Sequence, residues 1–104
     1  MNTDIPTVRK QRRTVKLSGV TGVANTEEIH AALAPLLARK GKVSLDLGAV
    51  ERTDTAVLQL LLAFRKAAAA RNCPVVWLKL SESVIDTSQR LGLFESLGFE
   101  ACAD

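Results

Sequence analysis

A strand, a long helix and a second strand follow one another in the middle of the chain, and this unit constrains the fold most. VSLDL (residues 43–47) alternates apolar and polar side chains, which predicts a strand with Asp46 on the face opposite its valine and leucines. Residues 55–71 are rich in leucine and alanine and lack glycine and proline, which predicts a helix. VVWLKL (residues 75–80) is almost continuously apolar, which is typical of a central parallel strand covered on both faces, with Trp77 in the core.

The N-terminal half predicts one more strand and one more helix. Residues 14–17 alternate as a strand with one face toward water, and SGVTG (residues 18–22) closes it. Asn25 followed three residues later by Glu28 is typical of a capping box at the start of a helix. Pro35 lies inside that helix and predicts a kink or local unwinding, because proline removes a backbone hydrogen bond. The apolar positions of this helix are Ile29, Leu33, Leu36 and Leu37.

The C-terminal part predicts a last helix, which Ser81 caps and Gly92 ends. Because strands and helices alternate along the chain, right-handed crossovers would place the helices on a mostly parallel sheet. The predicted fold class is therefore α/β, with a small, mostly parallel or mixed sheet of four to five strands and α-helices packed on it. The predicted inner face of the last helix comprises Val84, Ile85, Ser88 and Leu91, and Leu93, Phe94 and Leu97 are expected to fold back over the core.

One domain is expected for the whole chain of 104 residues, since a chain of this length has room for one modest core. Residues 1–11 are expected to form either an edge strand or a flexible N-terminal arm. The most apolar stretch, residues 56–64, is well short of the roughly 20 residues that cross a membrane. The polar and then basic N-terminus does not resemble a secretory signal. We therefore expect a cytoplasmic protein that does not insert into a membrane.

The composition gives little support to nucleic-acid binding, metal binding or nucleotide hydrolysis. The net charge of +3 comes largely from a basic N-terminal segment, but no aromatic residues are interleaved with it, so a solvated strand is expected. Two distant cysteines and the single histidine, His30, do not make a metal site. The usual phosphate-binding and hydrolase motifs are missing from the sequence. The basic residues of the segment are Arg9, Lys10, Arg12, Arg13 and Lys16.

An acid and two hydroxyls stand at the start of an apolar helix in TDTAVLQLLLAF (residues 53–64). In LDLGAVERTDTAVLQLLLAF (residues 45–64) and VVWLKLSESVIDTSQRLGL (residues 75–93), the chain resembles the STAS domain, the fold of bacterial anti-sigma factor antagonists. The resemblance covers roughly residues 12 to 98. In that family the hydroxyl residue after the aspartate of this turn is the regulatory phosphoacceptor. The resemblance therefore implies that Thr55 is the phosphorylation site, and it implies no cofactor.

The resemblance also covers the neighbours of this phosphoacceptor. By the family's pattern, Asp54 belongs to the turn, while Asp46 and Thr53 support the site. The chain departs from the pattern at two positions. Ala56 lacks the second hydroxyl, and Val57 stands where glycine is usual, which would place a side chain at the mouth of the helix in the way of a kinase.

Helical spacing extends the candidate partner-binding surface along the same helix. Positions three and four residues apart lie on one stripe, away from the predicted inner face. Without the resemblance, this stripe is more typical of the solvated side of an amphipathic helix. The predicted partner-binding residues are Asp54, Thr55, Ala56, Gln59, Leu62, Ala63 and Lys66, and the predicted inner face comprises Val57, Leu60, Leu61, Phe64 and Ala68.

Three functions follow as hypotheses. The first is a non-enzymatic bacterial signalling domain that exchanges protein partners when Thr55 is phosphorylated; its partners would be an anti-sigma factor or serine/threonine kinase, a phosphatase, or a chemotaxis complex. The second is a constitutive accessory subunit of a phospholipid-trafficking ABC transporter, docked on its ATPase subunit. The third is a small enzyme that uses Asp46 and Asp54 as an acid/base pair, which has few converging polar groups to support it.

Overall fold

The structure, a computed structural model, describes residues 8–102. Its sheet has four strands, β1 (Val8–Gln11), β2 (Thr14–Val20), β3 (Val43–Arg52) and β4 (Val75–Leu80), in the spatial order β1-β2-β3-β4. β1 pairs with β2 antiparallel, whereas β2 with β3 and β3 with β4 are parallel pairs. The predicted α/β fold class with a mixed, mostly parallel sheet is confirmed.

Among the described residues, three α-helices accompany the sheet: α1 (Thr26–Leu33), α2 (Thr55–Ala70) and α3 (Glu82–Arg90). Short 3₁₀ turns occupy Val23–Asn25, Ala34–Ala38 and Phe99–Ala101. Within residues 1–11, the segment from Val8 to Gln11 forms the predicted edge strand, and residues 1–7 lie outside the described residues. No helix among residues 8–102 combines the length and the apolar composition that crossing a bilayer requires.

β2 and β3 both extend beyond their predicted ends, because each continues along the other. Residues 18–22 were predicted to close β2, but residues 18–20 continue the strand. Gly19 adopts φ +76°, and the register with β3 shifts between Lys16 and Ser18 and between Gly19 and Val20. β3 runs five residues past Leu47, and Ser18 and Gly19 of β2 pair with Ala49 and Val50. The carboxyl ends of both strands therefore lie further along the chain than local composition indicates.

β4 has the predicted bounds, but its predicted central place in the sheet is wrong. In the described sheet β4 pairs with β3 alone and lies at the edge. The C-terminal segment contributes to its burial: the indole Nε1 of Trp77 donates a hydrogen bond of 2.8 Å to the Leu97 carbonyl oxygen, and the ring meets Phe99 edge to face with centroids 4.8 Å apart. The apolar run of β4 is thus explained by packing of helices and the C-terminal segment, and not by a second neighbouring strand.

The start of α1 differs from its prediction, whereas its end agrees with it. Asn25 does not cap α1; its Oδ1 accepts a hydrogen bond of 2.9 Å from the Gly22 amide and closes the preceding 3₁₀ turn, so the predicted capping box with Glu28 is not formed. The unwinding predicted at Pro35 is confirmed, because α1 ends at Leu33 and the chain continues as a 3₁₀ turn.

α2 and α3 follow their predictions closely. Ser81 caps α3, with its Oγ accepting a bond of 3.2 Å from the Val84 amide. Ser88 is fully buried, as predicted, and its hydroxyl donates to the Ile85 carbonyl oxygen at 2.9 Å. Leu91 was predicted on the inner face and is 43% exposed, because α3 ends at Arg90 and the chain turns away at Gly92 with φ +73°.

Arg13 fixes the loop that precedes β3, which gives one residue of the basic N-terminal segment a structural role. Its guanidinium donates four hydrogen bonds of 3.0–3.1 Å to main-chain carbonyl oxygens, those of Leu36, Arg39, Gly41 and Lys42. These groups lie at the amino end of the parallel strands. Arg13 therefore satisfies carbonyls that the end of a 3₁₀ turn leaves without partners.

Candidate functional site

Asp54 joins the start of α2 to the connection between β2 and α1. Its Oδ1 accepts a hydrogen bond of 3.1 Å from the Val57 amide, which caps α2, and its Oδ2 accepts one of 3.0 Å from the Val23 amide. A Cβ on Gly22 would lie 3.0 Å from that Oδ2, closer than most Cβ contacts, so the close approach favours glycine. Both carboxylate oxygens of Asp54 are therefore engaged in holding the two segments together.

Thr55 is the first residue of α2, and it is exposed. The amides of Thr55 and Ala56 belong to the first turn, where no intrahelical acceptor is available. Val57, expected to obstruct the mouth of the helix, has its side chain in the core and is 1% exposed. An approaching protein can thus contact Thr55 at the start of α2.

A groove of about 400 Å³ separates the start of α2 from the end of α3. Among the buried side-chain oxygen and nitrogen atoms that the structure describes, only Thr53 Oγ1 has no hydrogen-bond partner. Across the groove, Arg90 pairs with Asp86 at 2.7 Å, and the two side chains are 72% and 65% exposed. The groove is lined by Thr53, Asp54, Thr55, Thr87, Arg90 and Leu91.

The predicted stripe lies on the outer side of α2. Gln59, Ala63 and Lys66 are exposed, and Ala56 and Leu62 are half-buried. The predicted inner face is buried except for Leu60, which is half-buried. Ala63 also borders an apolar groove of about 210 Å³ between α1 and α2.

Asp46 is not brought together with Asp54. It lies in the middle of β3, six residues before the strand ends at Arg52, which is about 20 Å of extended strand. Its Oδ1 accepts a hydrogen bond of 2.9 Å from the Gly48 amide, beside the register shift between β3 and β4. Asp46 therefore has a local structural role in β3, where it accepts from the Gly48 amide. The structure gives no geometric support to an acid/base pair of Asp46 and Asp54.

Three exposed apolar residues near the start of α2 were missed by the sequence analysis. Large hydrophobic side chains that are exposed within residues 8–102 are Val20 (60%), Val23 (69%) and Leu91 (43%). Val20 ends β2, the Val23 amide bonds to Asp54, and Leu91 lines the groove. We call these three residues, together with Thr53, Asp54, Thr55 and Arg90, the helix-start surface. Val20 was missed because β2 was predicted to close at residues 18–22, and Leu91 was missed because it was predicted on the inner face of α3.

A family model described as "Mlab, STAS domain" matches residues 7–98 of the chain. Among solved structures, the overall structure of SLC26A9 superposes with a TM-score of 0.73 at 14% identity over 86% of this chain and 17% of that chain. A SulP transporter STAS domain from Vibrio cholerae superposes with a TM-score of 0.56 at 15% identity, over 90% of this chain and 75% of that domain.

The structure of Mglu superposes with a TM-score of 0.56 at 25% identity, over 67% of this chain and 18% of that chain. This chain thus spans less than a fifth of the SLC26A9 and Mglu chains. No curated protein sequence matches it. At these identities, the likeness to SLC26A9 and to the SulP domain concerns the fold.

Proposed function

Because this chain belongs to the STAS domain family, whose members are generally non-enzymatic interaction domains, we propose that it is a bacterial signalling module controlled by phosphorylation of Thr55. The single observation that carries the proposal is the position of Thr55: this residue is exposed at the first position of α2, and Val57 nearby is buried. The helix-start surface would be the binding surface for the protein partner.

Phosphorylation would transfer the γ-phosphoryl group of ATP to Thr55. A kinase supplies the catalytic base; Oγ1 of Thr55 forms the new bond to phosphorus, ADP leaves, and the hydroxyl proton passes to that base. The product carries about 1.5 to 2 negative charges and three acceptor oxygens. At the start of a helix these oxygens meet unpaired amides and the positive end of the helix dipole, so the modified domain remains folded.

The same charge would release a partner that covers the helix-start surface. Val20, Val23 and Leu91 offer apolar area that a partner can bury, which favours binding of the unmodified domain. Burying a phosphate in such an interface removes its hydration, and this is strongly unfavourable unless the partner supplies a matching cation. Phosphorylation of Thr55 would therefore release an anti-sigma factor, kinase or chemotaxis partner. A phosphatase that removes the phosphate would restore binding.

A second candidate function is constitutive docking on the ATPase subunit of a phospholipid-trafficking ABC transporter. The description of the matching family model and the two transporter structures among the neighbours favour it. The helix-start surface and the outer stripe of α2 would then form a permanent interface. Thr55 would contribute to contact but would carry no phosphate.

The test of the first candidate is substitution at Thr55 combined with analysis of the native protein. The partner is identified by purifying the full chain from its own cells, then produced separately for titration. We expect Thr55→Asp to weaken the partner's Kd tenfold or more, about 1.4 kcal/mol, with little change in Tm, whereas Thr55→Ser binds like the parent. Ser96→Asp is the matched control: it adds the same charge at an exposed position beside Arg65, ten residues further along α2.

Two outcomes separate the candidate functions. A phosphate on Thr55 in protein from cells, together with weaker binding of Thr55→Asp but not of Ser96→Asp, supports the switch. An ATPase as the purified partner, no phosphate on Thr55, and equal affinity of the parent and Thr55→Val would refute the switch and support constitutive docking.

A further inference from the structure

The groove beside Thr55 contains a cation whose present partner is weakly held. Among the described residues that line this groove, Arg90 is the one that carries a positive charge. Its ion pair with Asp86 joins two side chains that are 72% and 65% exposed. Pairs this exposed contribute about 0 to 1 kcal/mol, so Arg90 can exchange Asp86 for a stronger anion at little expense in stability.

We propose that Arg90 binds the phosphate of phosphorylated Thr55, leaving Asp86, and that the Thr53 hydroxyl donates a further hydrogen bond to it. This inference rests on the proposed phosphorylation of Thr55. A phosphate carries more charge than a carboxylate and offers three acceptor oxygens, and the planar guanidinium can bond two of them at once. Phosphate therefore outcompetes the exposed Asp86 for Arg90.

The neighbouring groups favour the same arrangement. Asp54 precedes Thr55, but both of its oxygens already accept hydrogen bonds from the Val57 and Val23 amides. Repulsion from this carboxylate directs the phosphate toward the side of the groove formed by α3. Thr53 is one of the residues that line the groove, and its hydroxyl oxygen is buried without a partner within the described residues. A turn of this side chain toward the groove would let the hydroxyl donate to a phosphate.

The pairing would change the partner-binding surface as well as its charge. Arg90 is the last residue of α3, and Leu91 follows it directly. A bond between Arg90 and the phosphate would tie the end of α3 to the start of α2 across the groove. Access to the exposed Leu91 side chain would then be altered, so phosphorylation would act on both the apolar and the charged parts of the helix-start surface.

The experiment is a ³¹P NMR titration of the full chain with phosphothreonine incorporated at position 55 during translation. A nearby cation favours the dianion and lowers the second phosphate pKa, so Arg90→Gln should raise that pKa by about half a unit at this exposed site. Arg71→Gln is the matched control, because it removes the same charge from an exposed arginine that follows the far end of α2. It should leave the titration unchanged.

Two further variants test the planar guanidinium of Arg90 and the hydroxyl of Thr53 separately. Arg90→Lys should recover part of the pKa lowering, since it keeps the charge without the planar fork. Thr53→Val should raise the pKa by less than Arg90→Gln does, and an unchanged titration would overturn the role of Thr53. Identical titration of the parent, Arg90→Gln and Arg71→Gln would overturn the inference. Because the phosphate is incorporated without a kinase, that result would leave the proposed switching of partners standing.

Discussion

The two ends of the parallel strands each carry an arginine, and the two arginines are held in opposite ways. At the amino end, Arg13 donates to four main-chain carbonyl oxygens. At the carboxyl end, Arg90 makes one exposed ion pair with Asp86. The first arginine substitutes for backbone hydrogen bonds that the loop cannot make, whereas the second has an exchangeable partner. Residue type alone therefore does not distinguish a structural cation from one available for binding.

The surroundings of the two arginines extend this contrast. At the amino end, the Val43 amide donates to the Pro74 carbonyl oxygen, and the Cys73 thiol donates to the Arg39 carbonyl oxygen at 3.1 Å. At the carboxyl end, the helix-start surface combines exposed apolar side chains with a Thr53 hydroxyl that has no partner in the described part of the chain. We infer that the amino end contributes mainly to stability and that the carboxyl end is the place for partners.

The largest expected effect tests the amino end. Arg13→Ala leaves four carbonyl groups of a tight loop without their donor, so we expect the free energy of unfolding to fall by about 3 kcal/mol. Arg90→Ala should lower it by less than about 0.5 kcal/mol. Urea unfolding followed by circular dichroism measures both. Equal losses for the two variants would abolish the contrast between the two ends.

A smaller loss is expected at Asp54, because it combines a helix cap with a bond to a second segment. Asp54→Ala should destabilise the domain by about 2 kcal/mol. Asp46→Ala, which removes a carboxylate that accepts from the Gly48 amide, should cost about 0.5 kcal/mol. Thermal and urea unfolding of both variants provide the comparison, and a larger loss at Asp46 would contradict it.

The close approach of Gly22 to Asp54 gives a third, more local test. Gly22→Ala should cost about 1 kcal/mol, because the added methyl group would lie 3.0 Å from Asp54 Oδ2. Gly22 has extended backbone angles that alanine also adopts, so the cost arises from the contact. In an Asp54→Ala background the same substitution should be nearly neutral. A double-mutant cycle by urea unfolding measures this coupling, and additive losses would argue against the contact.

The smallest effect on stability is expected at Leu91. Its side chain is 43% exposed, so Leu91→Ser should change the free energy of unfolding by no more than about 0.5 kcal/mol, yet weaken binding of the purified partner. Leu97→Ser is the contrasting variant, because Leu97 is fully buried, and it should cost at least about 3 kcal/mol. Unchanged partner affinity of Leu91→Ser in a calorimetric titration would remove Leu91 from the helix-start surface.

Much of the candidate site could be predicted where its signals are local. The start of α2 at Thr55 and its exposure follow from an acid and hydroxyls that precede a long apolar helix. The capping role of Ser81 is equally local and is confirmed. Asn25 shows the limit of such signals, because its side chain accepts from the Gly22 amide before the helix and does not cap α1. Which backbone group a short polar side chain bonds depends on local geometry that the sequence does not specify.

Local sequence is enough to predict the α/β class, the order of the elements and the position of Thr55, because these depend on periodicity and on chemistry within a few neighbouring residues. Tertiary structure alone decided that β4 lies at the edge of the described sheet, that β3 continues well beyond Asp46, and that Arg90 lines a groove with Thr55. The physical reason is that these features join residues far apart in the chain. Pairing between strands and packing between helices, not local preference, bring them together.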